Sequence, residues 1–326
     1  MKKIIFVFIL MISLLLTACT NESKDEHKDS SKLSIYTTVY PLQYFTDRIG
    51  GEFVETKTIY PPGADEHSFE PTQKDMTKLA DADLFIFVGL GLEGFVEKAQ
   101  KTLQNEEVTM VGAGENIHFD EVQAHEEDKH DDEHSHEDDD EHSHEDDAHH
   151  HGDIDPHVWI DPLYAKDLAA AIKTALTDKM PEHKEEFDAN YRLLADELDQ
   201  LNKDFEQTIQ DAKHKEIIVS HSAFGYWEQR YGIDQISVSG LNSSNEPTQK
   251  DLEKIIAEGK KHKLKYVFFE QNVSSKLTEI IKNELGAEPL VLHNLSVLTD
   301  EDISNENTYF SIMKENLEAL KTALNN

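Results

Sequence analysis

Six residues, Glu-Pro-Thr-Gln-Lys-Asp, stand at 70–75 and again, unchanged, at 246–251. Each copy opens a helical pattern and is followed by a short apolar run, 84–88 in the first case and 266–269 in the second. Identity over six positions at equivalent places in two helix–strand units predicts two similar lobes. The residues before the first copy fit such a lobe. Positions 33–40 are β-branched and aromatic, as a strand favours; 41–49 reads as a short helix closed by Gly50-Gly51; 53–60 is a second strand stopped by Pro61-Pro62-Gly63. Strands alternating with helices predict a parallel α/β sheet whose binding loops lie at the strand ends.

A chain of 326 residues has room for two lobes. Between them, a helix is expected over 165–176, and a second starts at Pro181, a favourable first position. Its apolar residues, Phe187, Tyr191, Leu194, Leu198, Leu201, Phe205 and Ile209, recur in steps of three and four, which marks one amphipathic stripe. Roughly thirty residues at about 1.5 Å each make a rod of about 45 Å. The pattern then begins again, with strands at 216–220 and 235–238 around a helix at 223–231. The fold expected is therefore α/β, two similar parallel-sheet lobes joined by one long rigid helix.

Two stretches lie outside this scheme. Residues 121–153 contain sixteen Asp or Glu, nine His and one Lys, including the tandem copies Asp-Glu-His-Ser-His-Glu-Asp-Asp at 132–139 and 140–147. Nothing in the run can bury a core, so it is expected to be disordered. Its histidines, His125, His130, His134, His136, His142, His144, His149, His150 and His151, are expected to form a low-affinity metal loop. The run accounts for much of the formal charge of −35, which repels nucleic acid and attracts cations. With no basic patch interleaved with aromatics, a nucleic-acid partner is excluded.

The amino terminus is the other stretch. Lys2 and Lys3 precede an apolar run at 4–16 that is too short for a good membrane span and reads as a secretory signal. Leu16-Thr17-Ala18-Cys19 resembles the lipobox of bacterial lipoproteins, in which the cysteine carries the lipid. Cys19 is the sole cysteine, so an internal disulfide is excluded. The expected division is a signal peptide at 1–18, a lipidated tether at 19–32 and a first α/β lobe at 33–180 with the disordered insert at 119–153. The linking helix at 181–213 and the second α/β lobe at 214–326 complete it. Such a protein stands on the outer face of the cell membrane, held by its lipid anchor.

Three histidines lie in ordered contexts at strand-to-helix junctions: His67 after the second strand, His157 in Asp155-Pro-His-Val-Trp-Ile-Asp161, and His221 in Ser220-His-Ser-Ala-Phe-Gly225. Each alone reads equally well as a turn or capping residue. Together they suit Zn2+, which takes imidazole nitrogen at about 2.0–2.1 Å. From Gly63-Ala-Asp-Glu-His67 through these contexts to Phe268-Phe-Glu-Gln-Asn272, the chain resembles the zinc-binding members of the metal-specific solute-binding proteins that serve ABC importers.

The resemblance implies a monomer that captures Zn2+ in a cleft between two lobes and delivers it to an ABC permease and its ATPase. It places the ligand role on His67, His157 and His221. Manganese and iron relatives typically carry a carboxylate where His221 stands. Several zinc relatives have a glutamate where this chain has Ser296, which leaves Glu66, Glu270, His293 and Ser296 as candidates for the fourth position or for support around it. Glu66, next to His67, is expected to point elsewhere.

The alternatives are a manganese- or iron-binding protein of the same kind, a surface adhesin, and a zinc hydrolase. A hydrolase would need a base beside the metal, and no His-Glu-x-x-His helix occurs outside the acidic run.

Overall fold

The structure, a computed structural model, describes residues 32–119, 154–241, 247–271 and 275–326. The signal and lipobox residues, the histidine run and part of the second hexapeptide therefore lie outside the described residues. Among the described residues no helix is long and apolar enough to cross a membrane.

The first lobe runs β1 (Leu33–Thr37), α1 (Tyr40–Gly50), β2 (Val54–Thr58), α2 (Gln73–Ala80), β3 (Leu84–Phe87), α3 (Val96–Leu103) and β4 (Thr109–Gly112). The second repeats it: β5 (Glu216–His221), α6 (Gly225–Tyr231), β6 (Asp234–Ser239), α7 (Gln249–His262), β7 (Tyr266–Phe269), α8 (Lys276–Leu285) and β8 (Glu288–Val291). Both sheets are parallel and share one strand order, β2-β1-β3-β4 and β6-β5-β7-β8. Central strands covered on both faces must be apolar throughout. All four residues of β3 are buried, and in β5 Ile217 and Val219 join one core while Ile218 joins another on the far side of the sheet.

The repeated hexapeptide occupies the same place in both lobes, the entry to the helix after the second strand. Thr72 caps α2 and Thr248 caps α7, each in a reciprocal box with the aspartate three residues on. Helix-start chemistry alone does not account for the match. Thr299 and Thr308 build the same kind of box at α9 (Asp300–Ser304) and α10 (Tyr309–Asn325) from other sequences.

Between the lobes, α4 (Pro162–Lys179) starts three residues earlier than expected, because Asp161 caps it and Pro162 fits its first turn. A short 3-10 turn at Pro181–His183 leads into α5 (Lys184–Gln210). Of the stripe on α5, Phe187, Leu194, Leu198, Leu201, Phe205 and Ile209 are buried, and Tyr191 is half-buried. The helix is anchored at both ends by rings. Phe187 meets Phe53 of the first lobe, while Phe205 meets Trp227 and Tyr231 of the second. Helix α10 also packs along α5, and one buried cluster runs unbroken from the β1 sheet through α4 and α5 to α10.

The two switch points, where strand order reverses, are used differently. In the first lobe Glu93 fills it, accepting from Thr38 Oγ1 at 2.7 Å, Val88 N at 2.8 Å and Gly89 N at 3.0 Å. In the second lobe, His221 ends β5 and Glu270 follows β7, so both side chains stand at the crevice where such sheets bind ligands.

Thr72→Ala and Thr248→Ala should each lower stability by about 1 kcal/mol, the usual cost of an N-cap. Urea midpoints check this; a change in one variant alone would show that the two boxes are not equivalent.

Candidate metal centre

His67 lies on the loop between β2 and α2. Asp65 Oδ1 accepts from His67 N at 2.9 Å and Ser68 N at 3.0 Å, and its carbonyl accepts from Phe69 N at 3.1 Å, which winds 65–69 into a single helical turn. Neighbours in such a turn project about 100° apart, not to opposite sides. This corrects the expectation for Glu66. Its side chain turns inward with His67 and is buried, with Oε1 4.0 Å from His67 Nε2.

His157 is fully buried, and the aspartate two positions upstream fixes it. Asp155 Oδ1 accepts from His157 N at 2.9 Å and from Nδ1 at 2.7 Å. Holding the proton on Nδ1 leaves Nε2 as the lone-pair nitrogen. Past a 3-10 turn at Val158–Ile160, Asp161 accepts from Leu163 N at 2.8 Å and Tyr164 N at 3.1 Å.

The second lobe grips this segment from the other side. The Tyr226 hydroxyl donates to the Asp155 carbonyl, Trp227 Nε1 to Ile160 O at 3.0 Å, and the Tyr309 hydroxyl to Trp159 O at 2.9 Å. Arg230 pairs with the Asp161 carboxylate.

His221 Nδ1 is 3.0 Å from Glu270 Oε1, and Nε2 is 2.9 Å from Leu241 O. Both ring nitrogens face acceptors, so the ring is held as the cation. Burial alone would lower its pKa, but the Glu270 hydrogen bond and charge, with the Leu241 carbonyl, raise it to about 9. His67 goes the other way. Burial, reinforced by the other two histidines, lowers it to about 4, so at neutral pH it is a neutral imidazole.

The three rings converge. Their centroids are 5.2 Å (His67–His157), 5.5 Å (His67–His221) and 4.9 Å (His157–His221) apart. One ligand-capable atom from each lies within 4.8 Å of the other two, and no other such group occurs among the described residues. His67 Nε2 and His157 Nε2 are buried without a hydrogen-bond partner. Buried polar nitrogens are almost always satisfied, so two orphans aimed into one cluster mark a site built for a cation. Nitrogen donors suit Zn2+, Cu2+ or Ni2+ better than hard cations. The side chains are only 8%, 0% and 3% exposed. A cavity of about 820 Å3 between β4 and α4 is lined by none of the three.

The four remaining candidates divide. Glu66 and Glu270 adjoin the cluster. His293 does not, because its Nδ1 accepts from Leu295 N at 2.9 Å and its Nε2 faces Asp302 Oδ2 at 3.2 Å. Ser296 does not either; its hydroxyl donates to Asn294 Oδ1 at 2.8 Å. Both depart from the expectation because other partners take their polar atoms, Leu295 and Asp302 in one case and Asn294 in the other. Cys19 and the nine histidines from His125 to His151 lie outside the described residues.

Two contributors escaped the sequence reading. Asp155 carried a legible signal, since an aspartate readily reaches backbone two residues on. Asn294, whose side chain meets Glu66 and Glu270, carried none, because its partners are 228 and 24 residues away in the chain.

The model of the family described as zinc-uptake complex component A, periplasmic, matches residues 35–323. The high-affinity zinc uptake system protein ZnuA of Bacillus subtilis (strain 168) is 35% identical over 313 residues, 95% of this chain and 94% of that protein. The zinc-binding protein AdcA of Streptococcus pyogenes serotype M3 is 32% identical over 98% of this chain, which spans 61% of that longer relative. The crystal structure of the Zn(II)-bound ZnuA-like domain of Streptococcus pneumoniae AdcA superposes with a TM-score of 0.72 at 30% identity, covering 90% of this chain and 100% of that one.

Glu270→Gln removes the charge that keeps His221 protonated. The His221 pKa, followed by NMR in metal-free protein, should fall from about 9 to below the ordinary value near 6.5. A value still near 9 would mean that Glu270 is not the cause.

Proposed function

This chain belongs to the zinc-uptake complex component A family, and from that membership we propose that it captures Zn2+ outside the cytoplasm and delivers it to an ABC permease driven by its ATPase. The observation that carries the reading is the pair of buried, unpartnered imidazole nitrogens on His67 and His157, which converge with His221. In this reading the three histidines hold zinc, and Glu66 and Glu270 are the carboxylates that adjoin it. Zinc is cargo, so the site must both hold and release it. His67 and His157 belong to the first lobe and His221 to the second. Zn–N bonds of about 2.0–2.1 Å tolerate little displacement between lobes, so a small shift on docking suffices to open the site.

Three imidazoles favour zinc over manganese or iron, which prefer oxygen. The closed cluster favours an ion over an organic substrate, against the hydrolase reading. Anchoring through Cys19 completes the proposal, with the protein held on the outer face of the membrane as a monomer.

The full chain should bind one tight zinc. His157→Ala and His221→Ala should each weaken it by more than about a hundredfold, the upper end of what loss of a ligand's supporting partner costs. Competition with a chelator of known affinity reads this, and tight binding retained in both variants would remove the site from these residues. Deleting 121–153 should leave the tight zinc in place, because none of the three histidines lies there. Zinc at about a thousand times its Kd should stabilise the fold by about 4 kcal/mol, seen as a higher Tm that a chelator reverses.

A further inference from the structure

Asn294 stands between the two carboxylates of the centre, one from each lobe. Its Nδ2 donates to Glu66 Oε1 at 3.2 Å and to Glu270 Oε2 at 2.7 Å. The amide cannot turn over. Its Oδ1 accepts from Ser296 N at 3.0 Å, Ser296 Oγ at 2.8 Å and Gln271 Nε2 at 2.9 Å, and a flip would set the NH2 group against these donors. Its backbone is pinned as well, N donating to Gln271 Oε1 at 3.1 Å and O accepting from Trp159 Nε1 at 2.7 Å, two residues beyond His157. Asn294 is 3% exposed, so these bonds form away from water, where they are strong.

Three of the four carboxylate oxygens are thereby committed. Glu270 gives Oε1 to His221 and Oε2 to Asn294, while Glu66 gives Oε1 to Asn294. Were both carboxylates to swing onto a cation already held by three imidazoles, it would become five- or six-coordinate with mixed oxygen and nitrogen. That arrangement suits Mn2+, whereas Zn2+ prefers four ligands. A neutral amide donating to both oxygens holds them back without adding a ligand of its own. We propose that Asn294 is a positioning residue that sets the coordination number at the centre, and with it the preference for Zn2+ over Mn2+. The proposal rests on the reading of the three histidines as zinc ligands.

Releasing hydrogen bonds to charged groups should shift the Zn2+-to-Mn2+ affinity ratio toward Mn2+ by on the order of tenfold to a hundredfold. The test uses the full chain stripped of metal, as wild type, Asn294→Ala and the milder Ser296→Ala, which removes one donor to the Asn294 amide. Each is titrated with Zn2+ and Mn2+ and its Co2+ form examined in the visible spectrum. Wild type should show the intense bands of four-coordinate Co2+. Asn294→Ala should show the weak bands of higher coordination and the shifted ratio, with Ser296→Ala changing in the same direction by less.

Equal loss of both affinities with an unchanged Co2+ spectrum would mean a merely structural role and overturn the proposal. If Asn294→Ala does not fold, an unchanged ratio and spectrum in Ser296→Ala overturn it instead. Failure of the reading beneath it looks different: wild type itself would take up no stoichiometric zinc, or His157→Ala would still hold it.

Discussion

The seven residues from Asp155 to Asp161 are held by both halves of the chain, and the centre depends on that grip. Within the first lobe, the Asp155 carboxylate fixes the His157 ring and Asp161 caps α4. From the later half of the chain, Tyr226, Trp227 and Tyr309 each donate to a carbonyl of the segment, Arg230 pairs with Asp161, and Trp159 donates back to Asn294. Most of these groups are buried, where an unmade hydrogen bond costs about 1–3 kcal/mol. The segment is therefore tied to both halves of the chain, and the position of His157 with it. Because the same side chains link the two halves of the chain, placing the His157 ring and holding those halves together are one physical task.

Charge is balanced at the centre on a smaller scale than the net −35 suggests. Burial pushes the Glu66 carboxyl up and the His67 imidazole down, so both resist charging. His221 alone is driven toward the cation, between Glu270 and the Leu241 carbonyl. On the proposed reading, a divalent ion entering the site displaces a proton from His221 and draws the ring from Leu241. The ion then takes over the positive charge that Glu270 had been stabilising.

Much of this was legible in the sequence, for identifiable reasons. The hexapeptide gave the two-lobe plan because the same capping box recurs at the same step of the topology. The stripe on α5 was readable because helix burial is periodic. His67, His157 and His221 stood out because imidazoles at strand ends are few once the acidic run is set aside. Short edge strands such as β4 and β8 carry too little pattern to be seen, and α10 reveals its role only through Tyr309 meeting Phe45 and Trp159. The inward turn of Glu66 depends on the Asp65 turn, and the withdrawal of His293 on Asp302 and Leu295. The first is a local turn that Asp65 could have signalled; the second is set by packing that neither spacing nor residue type encodes.

The central claim is that three imidazoles from two lobes share one zinc. X-ray absorption at the zinc edge, on the full chain carrying one equivalent of Zn2+, tests it most directly. The account predicts a shell of light atoms at about 2.0–2.1 Å with the outer scattering of three imidazole rings, reduced to two rings in His221→Ala. An all-oxygen shell, a sulfur neighbour, or three rings retained in that variant would contradict it.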